Sequence, residues 1–151
     1  KRKLAAQVPA ALSLCFGFKH PALALTGIIV LTAPSYQDES QATQQVLQIT
    51  QSFASQALLQ EIHLVILVDD SVLTFRNFNN FVWLTFTRSN PSHDIHGIQS
   101  FIDHKHWGCH GSLIIDARLK PHHAPPLVED PQMTKRVDAL ATNGKSLHGI
   151  I

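Results

Sequence analysis

Cysteine is scarce in this chain: two residues, Cys15 and Cys109, among 151. Two thiols cannot build a disulfide framework, and a chain of this length buries roughly 68–70% of its unfolded surface without one. The pair reads as two reduced thiols in a cytoplasmic protein, with a single bridge as the alternative. Charge is thin too. Only 15% of residues are charged, and twelve basic residues against eleven acidic leave a net charge of +1. That balance supplies no electrostatic footprint for nucleic acid or an anionic membrane surface. Long apolar runs are missing: residues 22–33 give twelve, two of them Thr, against the ~20 a membrane span needs. The glycines at 97, 108, 111, 144 and 149 match neither GxGxxG nor GxxxxGK[ST], so no phosphate-cradling loop is encoded. What the chain does have is 44% hydrophobic residues and ten histidines, which gain positive charge below about pH 6.5.

The start, Lys1-Arg2-Lys3 followed by Leu4 to Phe18 and then Ala22-Leu23-Ala24, imitates a secretory signal. Gln7 and Pro9 interrupt the run, there is no initiator Met, and Leu12, Leu14, Phe16 and Phe18 alternate. The reading is a domain cut from a longer polypeptide, with Val8 to Phe18 as a half-buried strand. Lys19-His20-Pro21 then breaks it, and Leu23 to Thr32 forms a second strand that completes a hairpin.

From Glu39 to about Gln56, Ala42, Val46, Ile49 and Phe53 fall at helical spacing among glutamines, with Ser35 or Asp38 as cap. Ile62 to Val68 is apolar on both faces, as a central strand is, and ends in Asp69-Asp70. After a loop, Asn77 to Thr87 predicts a helix capped by Asn77, with Pro91 beyond its end. Asp94 to Ile102 predicts a short strand, Asp103 to Gly111 a loop, and Leu113 to Asp116 a buried strand. Lys120 to Pro126 reads as extended. Asp130-Pro131 opens a last helix with Val137 and Leu140 on one face. The order implies an α/β fold: a single layered domain over 1–151, with a mixed β-sheet flanked by helices.

Three constellations bear on chemistry. Asp69 and Asp70 lie at a strand's carboxyl edge, where α/β folds place function. There they would bind magnesium as in receiver or phosphatase domains, with Asp116 as second acid, or cap the next turn and pair with Arg76 or Arg88. The run His104-Lys105-His106-Trp107-Gly108-Cys109-His110, with His93, His96, His122 and His123 as other donors, lacks the two separated ligand pairs of a zinc site. It reads as structural. Histidine neighbours favour a Cys109 thiolate, yet no oxyanion site accompanies it. The rings of Phe75, Phe78, Phe81, Trp83 and Phe86 read mainly as core, with one or two facing a cleft or partner.

Val65-Ile66-Leu67-Val68-Asp69-Asp70, then Asn77-Phe78-Asn79-Asn80-Phe81-Val82-Trp83 and Thr87-Arg88-Ser89-Asn90-Pro91, resemble the C-terminal part of UbiD-type decarboxylases. Asp94, Asp116-Ala117-Arg118-Leu119-Lys120 and Glu129-Asp130-Pro131 extend the resemblance over nearly the whole chain. It implies a carboxy-lyase acting on aromatic or α,β-unsaturated acids with prenylated FMN, a divalent metal (Mn or Mg) and potassium. Those cofactors and the Glu-Arg-Glu catalytic set would sit on preceding flavin-binding domains, so no catalytic, cofactor or metal residue is assigned among Glu39, Glu61, Glu129 or any other residue here. On the same resemblance this C-terminal domain supplies the interface of a homo-oligomer and one wall of the substrate pocket. Tyr36, Phe78 and Phe81 would be the rings approaching substrate. The resemblance implies neither nucleic-acid nor membrane partners. The His104 to His110 stretch stands where ubiquinone-pathway members are Gly- and Ser-rich, which implies a branch acting on other phenolic or heterocyclic acids.

Overall fold

The computed structural model describes residues 3–10, 12–15, 17–56, 61–124 and 130–149. The chain divides into two compact units, Lys1–Pro121 and His122–Ile151.

The first unit is built on a five-stranded mixed sheet. Strands β1 (Lys19–Leu25), β2 (Ile28–Thr32), β3 (Leu64–Val68), β4 (Ile95–Gly97) and β7 (Leu113–Asp116) lie in the order β1-β2-β3-β7-β4. The inner pairs β2–β3 and β3–β7 are parallel, and the outer pairs β1–β2 and β4–β7 are antiparallel. Strand β3 is central and apolar on both faces, as its composition predicts. Alternate residues feed two cores. Ile29, Leu31, Val65, Leu67 and Ile114 pack on one side with Val46, Ile49 and Phe53 of helix α1 (Glu39–Ala54). Val30, Ile66, Val68 and Ile115 pack on the other with Phe81 of helix α3 (Phe78–Thr87). The helices therefore flank opposite faces.

Helix α1 buries the four residues its spacing picks out, and Asp38 caps it by accepting from the Gln41 N–H at 2.8 Å. Asn77 caps α3 in the same way. The stretch between β3 and α3 is not a plain loop: Ser71–Phe75 forms a short helix, α2, capped by Asp70.

The first hairpin differs from the expectation. No strand spans the described residues of Val8 to Phe18. Val8, Leu12 and Leu14 pack on the α1-side core, and Phe18 is buried in it. The alternation thus reports one buried face without a ladder: the Ser13 N–H donates to Gln56 Oε1 at 3.1 Å and the Ser13 carbonyl accepts from Gln56 Nε2 at 2.8 Å. Strand β1 runs through Lys19-His20-Pro21, the expected break. Proline is tolerated on an edge strand, and a register shift between Lys19 and Ala22 absorbs the irregularity, with His20 at φ 52°. The hairpin turns at Gly27, whose φ of 75° favours glycine. The Leu23 to Thr32 stretch is therefore two strands.

Asp94 to Ile102 is likewise divided. Strand β4 ends at Gly97, and Ser100–Asp103 (β5) pairs with His106–Cys109 (β6) as a separate two-stranded ribbon. The His-rich segment, expected as a loop, supplies β6 and the turn. His104 and Lys105 at its tip both have positive φ, 46° and 69°, as tight hairpins demand. Nothing in a His-Lys pair announces such a turn.

In the second unit, Asp130 caps helix α4 (Pro131–Ala141), with Pro131 at its start as expected. None of its residues is buried within the described chain, Val137 and Leu140 included. Glu129 and the prolines at 125 and 126 lie outside the described residues.

Candidate functional site

The parallel strands β2, β3 and β7 deliver their carboxyl ends to one edge of the sheet, where chain segments diverge and ligands commonly bind in α/β folds. Three segments meet there: Pro34 to Asp38 after β2, Asp69-Asp70 after β3, and Ala117 to Lys120 after β7.

Arg118 holds the centre and is fully buried. Its Nε and Nη2 donate to the two carboxylate oxygens of Asp116 at 2.9 and 2.7 Å. Its Nη1 donates to the Pro34 carbonyl at 2.8 Å and to Gln45 Oε1 of α1. The guanidinium carbon lies 5.9 Å from the centre of the Tyr36 ring, within cation–π reach. Burial alone would raise the Asp116 carboxyl, but hydrogen bonds and charge from Arg118, with the Lys120 charge, hold it below its ordinary value.

The flanking charges are also engaged. Lys120 Nζ pairs with Asp94 at 3.3 Å and donates to the Asp116 carbonyl at 2.9 Å. Asp94 accepts from the Asn90 N–H at 2.7 Å. Asp69 Oδ2 accepts from Arg88 at 3.2 Å and from the Leu119 N–H at 2.8 Å. Asp70 Oδ1 accepts from the Val72 and Leu73 N–H groups at 2.9 and 3.2 Å. The acidic pair therefore caps α2 and ties β3 to the β7 exit, which is a structural use of both carboxylates.

Among the described residues, no three His, Cys, Asp or Glu side chains gather as a metal site. The histidine run is dispersed along the ribbon: His104 is exposed at the turn and His110 stacks on Phe101 at 4.7 Å. Burial raises both thiols, Cys15 and Cys109, which opposes a reactive thiolate. His96 on β4 titrates below its ordinary value, because burial outweighs the attraction of Asp116 and Asp94.

The three rings singled out from the sequence have different settings. Tyr36 is half-buried in the loop after β2, over Arg118. Phe78 is 59% exposed, whereas Phe81 is buried in the α3-side core. Their ring centres lie 6.2 Å apart, so Phe81 backs Phe78. The structure sets Tyr36 at the entrance to α1 and the two Phe on the other flanking helix. Arg118 and Gln45 are the organising residues that composition and spacing missed. An Asp-x-Arg spacing that starts at the last residue of a buried strand is the only local signal of the first, and nothing local marks the second.

The rings of α2 and α3 also form a surface. Phe78, Trp83 and Phe86 are exposed on α3, with Val72, Leu73 and Phe75 exposed on α2. A helix apolar on nearly every side is normally covered on more than one face.

No protein-family model matches the chain. In sequence it is 32% identical over 79 residues to one of the 4-hydroxybenzoate decarboxylase subunits of Chlamydia pneumoniae, covering 49% of this chain and 13% of that protein. Uncharacterised proteins of Chlamydia muridarum and Chlamydia trachomatis are 31% and 36% identical over 87 and 86 residues. Each of these two matches covers 54% of this chain and 15% of the relative. The chain thus spans about a seventh of the length of the curated relatives it matches. Among solved structures, it is similar to a UbiD-class enzyme from Pelotomaculum thermopropionicum solved with prFMN, with TM-score 0.44 and 19% identity over 72% of this chain and 21% of that one. It is also similar to the vanillic acid decarboxylase of Sedimentibacter hydroxybenzoicus, with TM-score 0.44 and 17% identity over 75% of this chain and 25% of that one. No helix among the described residues is long and apolar enough to cross a membrane. The matched stretch is shared with a decarboxylase subunit.

Proposed function

We propose that this chain is the C-terminal, pocket-closing domain of a UbiD-type carboxy-lyase that reversibly decarboxylates aromatic or α,β-unsaturated acids. The observation that carries the reading is the block from Asp69-Asp70 to Asn90-Pro91 together with the Asp116 to Lys120 segment. Those residues motivate the family resemblance, and in the fold Asp69 is bonded to both Arg88 and Leu119, and Lys120 to Asp94, at one sheet edge. Tyr36 and Phe78 act as wall residues, and Phe81 supports Phe78 from the core.

The described residues do not suit the flavin cofactor themselves. Arg88, Arg118 and Lys120 are bonded to Asp69, Asp116 and Asp94, and the remaining acid of the strand end caps a helix. In this reading prenylated FMN, the divalent metal, potassium and the catalytic carboxylates belong to preceding domains of the same polypeptide. The exposed rings of α2 and α3 supply apolar surface for those domains and for a homo-oligomer interface, which needs at least ~1,000 Å² of burial.

The test is decarboxylation of a panel of phenolic and heterocyclic acids with prenylated FMN, Mn²⁺ and K⁺. The chain alone turns nothing over. Joined to a flavin-binding portion it turns over at least one acid, and Tyr36→Ala raises KM by roughly tenfold or more, the loss of one ring contact worth about 1.4 kcal/mol. Turnover by the chain alone, or a joined polypeptide inactive on the whole panel, overturns the reading.

A further inference from the structure

We infer that Arg118 is a positioning residue for the loop that carries Tyr36, an inference that rests on the reading of Tyr36 as a pocket wall. A guanidinium does something here that an apolar side chain cannot. Burying a charge is unfavourable, and a well-packed hydrophobe of similar volume commonly holds a core as firmly. The guanidinium adds direction. Its planar fork offers five N–H donors in fixed geometry, and the structure uses all three of its nitrogens. Asp116 takes Nε and Nη2, which sets the plane of the group. Nη1 then points at the Pro34 carbonyl and at Gln45 Oε1.

Pro34 stands two residues before Tyr36, and Asp38 caps α1 two residues after it. The loop is therefore pinned at both ends, by Arg118 on the strand side and by the helix cap on the other. Between the pins, the buried cation lies over the Tyr36 ring. Arg118 thus couples the exit of β7, the β2–α1 connection and the second turn of α1, and as a fully buried group it does so from beneath the loop. A lysine has no planar fork, so it cannot reproduce the two parallel bonds to Asp116 that set the direction of the third nitrogen.

Tyr36 is the chain's one tyrosine, so its ring is a specific probe. The experiment compares Arg118→Lys, Gln45→Leu and Ile114→Val in the full chain by NMR of labelled tyrosine and by amide exchange. Ile114→Val removes one methyl group from the α1-side core and none of the Arg118 hydrogen bonds. With Arg118→Lys, amide exchange at residues 35–38 accelerates by roughly tenfold or more relative to β3, as local opening of a released segment does, and the Tyr36 ring signal moves toward that of free tyrosine. Gln45→Leu displaces the signal in the same direction by a smaller amount, and it answers the question if Arg118→Lys does not fold. Ile114→Val leaves the ring signal in place. Equal loop effects from Ile114→Val, or an unmoved ring in Arg118→Lys or in Gln45→Leu where the former does not fold, overturn the inference. A ring that moves while Tyr36→Ala leaves KM unchanged in the joined polypeptide overturns the pocket-wall reading instead.

Discussion

Arg118 and Asp116, two residues apart in the chain, face each other as a buried bidentate pair at 2.9 and 2.7 Å. Strand β7 ends at Asp116, so the pair sits at the carboxyl edge of the sheet, where the Leu119 N–H donates to Asp69. Both partners are almost wholly shielded, Arg118 at 0% and Asp116 at 3% exposure.

Removing one member leaves the other charged and unpaired. Arg118→Met is expected to destabilise the chain by about 3–5 kcal/mol, as breaking a buried pair does. Replacing both, as Arg118→Met with Asp116→Leu, should recover much of that loss. Urea unfolding of the two variants checks this. A double variant no more stable than the single one would show that the pair is not the main source of the loss.

Acid should act in two stages. The folded His96 titrates below its ordinary value of 6.5, so the unfolded chain binds more protons there and stability falls as pH drops below that value. Above it both states are neutral at this site and the contribution is complete. Asp116 is depressed below 3.8, and its contribution is lost at still lower pH. Thermal unfolding followed from neutral pH into strong acid should show both declines, and His96→Gln should remove the first.

Thr85 is fully buried on α3, and its Oγ1 has no hydrogen-bond partner among the described residues. An orphaned buried hydroxyl costs about 1–3 kcal/mol. Thr85→Val keeps the shape and drops the polar atom, so it should raise the unfolding midpoint. A lower midpoint would mean that the hydroxyl is satisfied in solution.

Gly97 permits a close approach between β4 and the ribbon. A Cβ there would lie 2.5 Å from Cys109 Cβ and 3.0 Å from the Trp107 ring. Gly97→Ala should cost about 1–3 kcal/mol through overpacking, with the Trp107 fluorescence altered before global unfolding.

Asp70 caps α2 through its Oδ1. Asp70→Asn should be nearly neutral, because asparagine caps as well, while Asp70→Ala should lose about 1 kcal/mol. Millimolar magnesium should shift neither midpoint. A magnesium-dependent stabilisation abolished by Asp70→Asn would restore a receiver-like or phosphatase-like reading.

Much of this architecture is written in local chemistry. Apolar residues every three or four positions place α1 on a core, and an unbroken apolar run makes β3 central. Asp38, Asn77 and Asp130 mark helix starts because a side-chain acceptor satisfies N–H groups that the helix leaves open. Other features depend on partners distant in the chain. Leu12 and Leu14 alternate like a strand, yet they pack without a ladder, and the Ser13 backbone between them bonds to the Gln56 side chain instead. His104 and Lys105 turn a hairpin that no glycine announces. Arg118 looks like an ordinary surface cation until Pro34 and Gln45, 84 and 73 residues away, are folded against it. Periodicity and capping act within a few residues and can be read along the chain. Strand pairing and the environment of a buried charge depend on which distant groups arrive beside it, and only the folded chain determines that.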